Sequence, residues 1–167
     1  MKPIYILKKL INFYYYFVGF GLGISFISLV YRFFVPKMIN PHFLESDTLY
    51  SSNSIKVVII QLLYLGMLFI FFKSIELLTK SLSDLSEGNH FSPAVIKNFK
   101  NSGKLFIMIS IIEISAKIFT NLFLENKLIF EIDTSIILFP IIGLFFLYLH
   151  EVFSKARTLQ NENDLTI

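Results

Sequence analysis

Residues 11–31 read INFYYYFVGFGLGISFISLVY, a stretch of 21 residues without a charged side chain. A transmembrane α-helix needs about 20 consecutive apolar residues to span the hydrocarbon core of a bilayer. This stretch is apolar or aromatic on every side, whereas a helix of a soluble protein carries a polar stripe. It is longer than the apolar region of a signal peptide, about 7–15 residues, and no small-residue cleavage site follows it. We therefore expect a retained membrane anchor.

Three more apolar stretches, at about residues 55–72, 105–124 and 134–149, approach the same length. Hydrophobic residues make up 54% of the 167-residue chain and charged residues only 16%, against about a quarter charged in soluble domains. So much apolar surface requires the lipid bilayer as its solvent. The sequence predicts a single domain, residues 1–167, that is an all-α integral membrane four-helix bundle.

The connection between the second and third stretches is itself helical. Apolar residues keep a helical spacing after the second stretch, so helix two is expected to continue to Ser86. Gly88 then ends it, and Ser92 caps a third helix whose first residue is Pro93. The two extended helices are expected to form a cytoplasmic helical hairpin. The predicted helices are 11–31, 55–86, 93–124 and 134–157, followed by a short cytoplasmic tail, 158–167.

Basic residues are unevenly distributed between the two sides that four crossings define. Cytoplasmic loops carry an excess of Lys and Arg. One side, with both termini and the middle connection, has ten: Lys2, Lys8, Lys9, Lys73, Lys80, Lys97, Lys100, Lys104, Lys155 and Arg157. The other has four, so both termini are predicted to be cytoplasmic. The excess of Phe, Ile, Lys and Asn is typical of an AT-rich bacterial genome, which favours a multi-pass protein of the bacterial cytoplasmic (inner) membrane.

The residues that usually carry catalysis or bind metals are absent or scattered. The chain has no cysteine, and its three histidines lie in separate segments at no metal-ligand spacing. It has no glycine-rich phosphate loop and no nucleophile elbow. The lysines at 97, 100 and 104 suit anionic lipid better than nucleic acid. We expect no enzymatic activity, no cofactor, no metal and no direct contact with nucleic acid.

Glu113 and Lys117 interrupt the third stretch. They lie four residues apart on one helix face, in the order that favours an ion pair, and Ser110 and Asn121 extend the same polar stripe. A lone charge inside the membrane costs at least about 3 kcal/mol. We favour a structural pair that faces the bundle, with Gln61 as a further partner, over an ion path or a ligand pocket. A structural pair should tolerate exchange of its two residues.

Two other features are candidates for contacts between helices or proteins. Gly19 and Gly23 are spaced so that two helix backbones can approach closely, either within the bundle, which we favour, or in a homodimer. The hairpin tip and the tail are the expected surface for a cytoplasmic partner protein. Their candidate residues are Glu87, Asn89, His90, Asp164 and Leu165.

Two segments carry a resemblance to a known family. The segment LSEGNHFSP, residues 85–93, is followed by Val95, Ile96, Phe99 and Gly103. A second segment begins EVF at residues 151–153 and ends ENDLTI at residues 162–167. Together they resemble the domain-of-unknown-function-2975 family of small four-helix bacterial membrane proteins. The resemblance implies a membrane protein without known enzymatic chemistry, often encoded beside a small helix-turn-helix regulator, and it supplies no catalytic residues.

These observations favour a non-enzymatic membrane protein that regulates or anchors a cytoplasmic partner, such as a helix-turn-helix transcription regulator. Two alternatives stay open. One is a small transporter or ligand-binding protein that uses the stripe of Glu113, Lys117 and Asn121. The other is an immunity protein against a membrane-active peptide.

Overall fold

The computed structural model describes residues 3–34, 55–124 and 133–164. Within these ranges the regular structure is entirely α-helical. The all-α class with membrane-length helices that the sequence predicts is confirmed. The helices are α1 (Pro3–Phe34), α2 (Ile55–Ser86), α3 (Pro93–Leu124) and α4 (Thr134–Asp164).

All four helices are long and apolar enough to cross a membrane. The first three have 32 residues each, or about 48 Å at 1.5 Å per residue. The hydrocarbon core of a bilayer is about 30 Å thick, so each of these helices is longer than the core. Large apolar side chains such as Phe13, Phe20 and Ile137 are more than half exposed, as lipid-facing side chains are. The chain is a multi-pass membrane protein.

The turn between α2 and α3 is set by local chemistry. α2 ends at Ser86 and α3 begins at Pro93, the residues at which the sequence places these ends. Gly88 has a φ of +93°, a left-handed conformation that glycine adopts without the penalty of a Cβ. The backbone N–H of Val95 donates to Ser92 Oγ at 3.2 Å, which is the contact of an N-cap. The chain therefore reverses direction between two well-terminated helices.

The helices pack in chain order. α1 lies against α2, α2 against α3 and α3 against α4, and among the described residues no other pair of helix backbones is in contact. Phe71 of α2 still reaches all three other helices, because its ring lies 5.8–6.1 Å from the rings of Tyr14, Phe106 and Phe139. The buried centre consists of Ile75, Leu78, Val95, Phe99, Phe106 and Ile109.

The α2–α3 hairpin is flanked by the other two helices. α1 begins at Pro3, eight residues before the predicted start at residue 11, since proline suits the first position of a helix. It runs beside the end of α2, where Tyr5 Oη donates to the Ser86 carbonyl oxygen at 3.4 Å. α4 runs beside α3, where His150 Nδ1 lies 3.0 Å from the carbonyl oxygen of Ile96. The start of α1 and the end of α4 therefore lie at the same end of the protein as the turn.

α4 continues to Asp164, past the end predicted at residue 157. No glycine or proline lies between His150 and Asp164, and Leu, Gln and Glu in this segment favour helix. Most of the predicted tail is therefore helical, and residues 165–167 lie outside the described ranges. α4 runs 14 residues beyond His150, and α3 begins three residues before Ile96, its neighbour. α4 thus projects about 11 residues, or about 16 Å, beyond the start of α3.

Two glycines bring the backbones of α3 and α4 together. A Cβ on Gly103 would lie 2.7 Å from the carbonyl oxygen of Gly143, and a Cβ on Gly143 would lie 2.8 Å from that of Gly103. Neither position has room for a side chain. The pair that the sequence singled out behaves differently: a Cβ on Gly19 would lie 3.1 Å from the Phe72 ring, but one on Gly23 would meet nothing within 4 Å. Gly19 packs within the monomer, and a homodimer through Gly23 stays a prediction.

Pro140 lies inside α4 and affects the preceding turn. Proline has no N–H, so the carbonyl of Ile136, four residues earlier, loses its donor within the helix. Ser110 of α3 donates its hydroxyl to this carbonyl at 3.1 Å. A side chain of one helix thus replaces the hydrogen bond that the other helix lacks, which satisfies the requirement that backbone groups in lipid be paired.

Replacing Ser110 by alanine is expected to lower the free energy of unfolding by about 1 kcal/mol, because the partly buried carbonyl oxygen of Ile136 loses the hydroxyl donor. In a Pro140→Ala background the helix supplies that donor itself, so Ser110→Ala should cost less than about 0.5 kcal/mol. The double-mutant cycle is measured by unfolding in detergent micelles. Equal costs in the two backgrounds would show that Ser110 is not coupled to Pro140.

Candidate functional site

The polar stripe of α3 meets the first residues of α4. Glu113 is only 7% exposed. The hydroxyl of Ser135, in the first turn of α4, donates to Glu113 Oε1 at 2.5 Å. The N-terminus of a helix carries a partial positive charge, and α4 begins at Thr134, so this end of the helix also favours the carboxylate. The buried acid is therefore held by α4 as well as by its own helix.

Lys117 makes its shorter contact outside the predicted pair. Its Nζ lies 3.9 Å from Glu113 Oε1, at the long end of the range for an ion pair. The same Nζ is in direct contact with the carboxylate of Asp133, the residue before α4. The side chain of Asp133 is 59% exposed and that of Lys117 is 19% exposed. The predicted contact is present, but each partner is bound more closely by a residue at the start of α4.

Two buried oxygens at this level lack a donor. Within the described ranges, Glu113 Oε2 and Gln61 Oε1 have no hydrogen-bond partner. The register of α2 and α3 follows from Ser102 Oγ, which donates to the Ser74 carbonyl oxygen at 3.3 Å. Gln61 lies 13 residues before Ser74 and is therefore level with about residue 115, 13 residues after Ser102. The two oxygens thus belong to the same level of the protein, within about one helical turn.

The stripe continues along α3 beyond the start of α4. Ile136 is level with Ser110, and α4 begins two residues before Ile136, whereas α3 runs 14 residues beyond Ser110. α3 therefore extends about 12 residues, or about 18 Å, past the start of α4. Lys117 and Asn121, which is partly exposed, lie on this extension.

The second candidate site is at the other end of the helices. We call it the turn end and define it as residues 87–92 together with residues 158–164 of α4. Gln160 of α4 and residues 88–92 line one open cleft of about 440 Å³. The structure therefore brings together two segments that the sequence named separately as candidates for partner binding.

The predicted partner residues of the turn itself, Glu87, Asn89 and His90, are all exposed. Asp164 is the last residue of α4, and Leu165 lies outside the described residues. In the sequence, the charged side chains of the turn end are all acidic, namely Glu87, Glu162 and Asp164. Lys8 of α1 lies beside them, because its Nζ donates to Ser83 Oγ at 3.1 Å and to Ser86 Oγ at 2.9 Å. The turn end itself is therefore acidic, with a lysine of α1 next to it.

Basic side chains lie on the helices directly adjacent to the acidic turn end. Lys97, Lys100 and Lys104 are exposed along α3. On α2, Lys73 and Lys80 bind Glu76 from either side, with Nζ to carboxylate distances of 2.8 and 2.7 Å. Lysines of α1 and α4 lie in the same half of the protein. In the described ranges no three His, Cys, Asp or Glu side chains are grouped so as to hold a metal ion.

Four helices long and apolar enough to cross a membrane define a small multi-pass helical membrane protein. The sequence profile of the family described as protein of unknown function (DUF2975) matches residues 43–167. The chain belongs to this family, which confirms the resemblance carried by the turn and by the C-terminal segment. The matched range includes α2, α3 and α4 and excludes α1. No curated protein and no solved structure matches the chain.

Proposed function

We propose that this protein is a membrane anchor that holds a cytoplasmic partner protein at its turn end. The observation that carries the proposal is the shared cleft, since Gln160 of α4 and the α2–α3 turn line it together. α4 projects about 16 Å beyond the start of α3. It is therefore longer than a membrane crossing needs. An exposed cleft on a rigid helical support is a suitable surface for a protein partner.

Charge supports the cytoplasmic orientation and indicates the chemistry of the partner. Lysines of all four helices lie in the half nearer the turn, where anionic lipids of the cytoplasmic leaflet attract them. The turn end beyond them is acidic, so a basic surface on the partner is complementary. A helix-turn-helix regulator, the partner that the family resemblance implies, has such a surface where it contacts DNA. Binding at the turn end would hold that regulator at the membrane.

A photo-crosslinking residue at Asn89, and separately at Gln160, is expected to trap the same cytoplasmic protein in growing cells of the native host. The physical reason is that both positions line one cleft. The adduct is identified by mass spectrometry and then tested for DNA binding. Glu87→Lys and Glu162→Lys together should reduce the adduct by about tenfold, which corresponds to about 1.4 kcal/mol of binding free energy.

The matched control carries the photo-crosslinker at Ser115, an exposed residue of α3 far from the turn. It should give no adduct with that protein. Different proteins trapped from Asn89 and Gln160, or no protein from either, would rule out a shared docking cleft. A trapped protein that does not bind DNA would leave the anchor role standing and exclude the helix-turn-helix partner.

A further inference from the structure

The buried cluster around Glu113 contains unequal numbers of positive and negative charges. Among the described residues it has two carboxylates, those of Glu113 and Asp133, and one ammonium group, that of Lys117. Lys117 is in direct contact with Asp133 and lies 3.9 Å from Glu113. The charge of the lysine is therefore directed mainly to Asp133, and the carboxylate of Glu113 lacks a close cationic partner.

This charge imbalance is energetically unfavourable because Glu113 is buried. Its side chain is 9% exposed, and a buried carboxylate requires a partner for each oxygen or a counter-charge. Ser135 serves Oε1, whereas Oε2 has no partner among the described residues. The N-terminus of α4 supplies only about half an elementary charge. Among the described residues the cluster is therefore one positive charge short, and Oε2 is the carboxylate oxygen without a partner.

We infer that Glu113 Oε2 binds a small monovalent cation inside the membrane domain. The carboxylate supplies the negative charge, and Gln61 Oε1, a buried acceptor without a donor at the same level of α2, is the second oxygen available to it. Two acceptor oxygens without donors among the described residues suit a bound alkali metal ion. Ionisable side chains within membrane-spanning helices are often part of ion pathways.

The polar groups in contact with Glu113 come from its own helix and from the start of α4. Lys117 lies on α3 itself, Ser135 is in the first turn of α4, and Asp133, which contacts Lys117, directly precedes that turn. Asp133 is more than half exposed, so water screens it. Cation binding at Oε2 therefore depends first on the buried carboxylate of Glu113, and on Asp133 only through its contact with Lys117. The proposal is independent of the partner at the turn end.

The test uses the full-length protein in detergent and follows thermal unfolding by circular dichroism. Na⁺, K⁺ and choline are exchanged at constant ionic strength and constant pH. The site predicts that Na⁺ or K⁺ raises the wild-type Tm by about 3–5 °C relative to choline. Glu113→Gln, which keeps the shape of the side chain, should abolish this response. Asp133→Asn should weaken it, because Lys117 is then free to pair with Glu113.

If neither Na⁺ nor K⁺ stabilises the wild type, or if the response survives Glu113→Gln, the proposal is wrong. Lys127 lies outside the described residues, so Lys127→Gln is measured in parallel. A wild type that is indifferent to cations while Lys127→Gln becomes responsive would identify that lysine as the missing positive charge and overturn the inference. Should Glu113→Gln fail to fold, Ser135→Ala takes its place, because loss of the hydroxyl frees Oε1 and should change the cation response at least threefold in apparent affinity.

Discussion

Replacing Gly103 by valine is expected to destabilise the protein by about 3 kcal/mol or more, among the largest single-residue effects in the chain. A Cβ at this position would lie 2.7 Å from the backbone oxygen of Gly143 and 2.9 Å from Leu147 Cγ. A backbone oxygen cannot rotate away as a flexible side chain does, so α3 and α4 would have to separate. The free energy of unfolding is measured by titrating SDS into detergent micelles and following helicity by circular dichroism.

Gly23→Val is the matched control, because nothing lies within 4 Å of a Cβ on Gly23. It should change the free energy of unfolding of the monomer by less than about 0.5 kcal/mol. The same variant tests the predicted homodimer: if Gly23 lies at a dimer contact, valine will shift the protein towards monomer in analytical ultracentrifugation. Equal destabilisation by valine at Gly103 and at Gly23 would contradict the close approach of α3 and α4 as the reason.

The two glycine pairs differ in whether the sequence alone reveals them. Gly19 and Gly23 are four apart on one helix, a spacing that is visible in the sequence. Gly103 and Gly143 are 40 residues apart on different helices, and no local pattern links them. Close approach of two backbones depends on the crossing point of the helices. The crossing point is determined by how the surfaces of the two helices pack against each other. That packing is not visible in the sequence of a single chain.

The helix ends at the α2–α3 turn were more predictable than the contacts between helices. The end of α2 at Ser86 and the start of α3 at Pro93 depend on Gly88 and Ser92, which act through the nearest backbone groups. Residues this close in sequence fix each other's conformation directly. The end of α4 was missed because the polar residues after 157 are typical of a solvated tail, although the absence of glycine and proline lets the helix continue through them.

The partners of the polar stripe were missed for a different reason. Position along α3 predicts that Glu113 and Lys117 share a face, and they do. Which residues complete the cluster depends on where α4 begins relative to α3. That relation brings Ser135 and Asp133 to the stripe. Asp133 and Ser135, on either side of Thr134, are typical of the N-terminus of a helix. This local role explains them in the sequence without any contact with α3, so their contacts with α3 were not predicted.

Exchanging Glu113 and Lys117 is expected to lower the free energy of unfolding by about 3 kcal/mol, because it leaves an ammonium group without a counter-charge at the buried position 113. If the two residues only paired with each other, the exchange would keep an opposite-charge pair and retain most of the stability. In the structure, however, Lys117 binds Asp133 and Glu113 accepts from Ser135. The exchange therefore sets a carboxylate against Asp133 and an ammonium group against the positive end of α4.

Adding Asp133→Lys to the exchange should recover about 0.5–1 kcal/mol of the loss, because it restores opposite charges between positions 117 and 133 at a partly exposed site. Recovery should be partial, since the ammonium group at position 113 still faces the N-terminus of α4, where the helix dipole disfavours a positive charge. SDS unfolding of the wild type, the exchange and the triple variant measures all three. An exchange variant as stable as the wild type would show that the 3.9 Å contact between Glu113 and Lys117, rather than the contacts with Ser135 and Asp133, stabilises this part of the membrane domain.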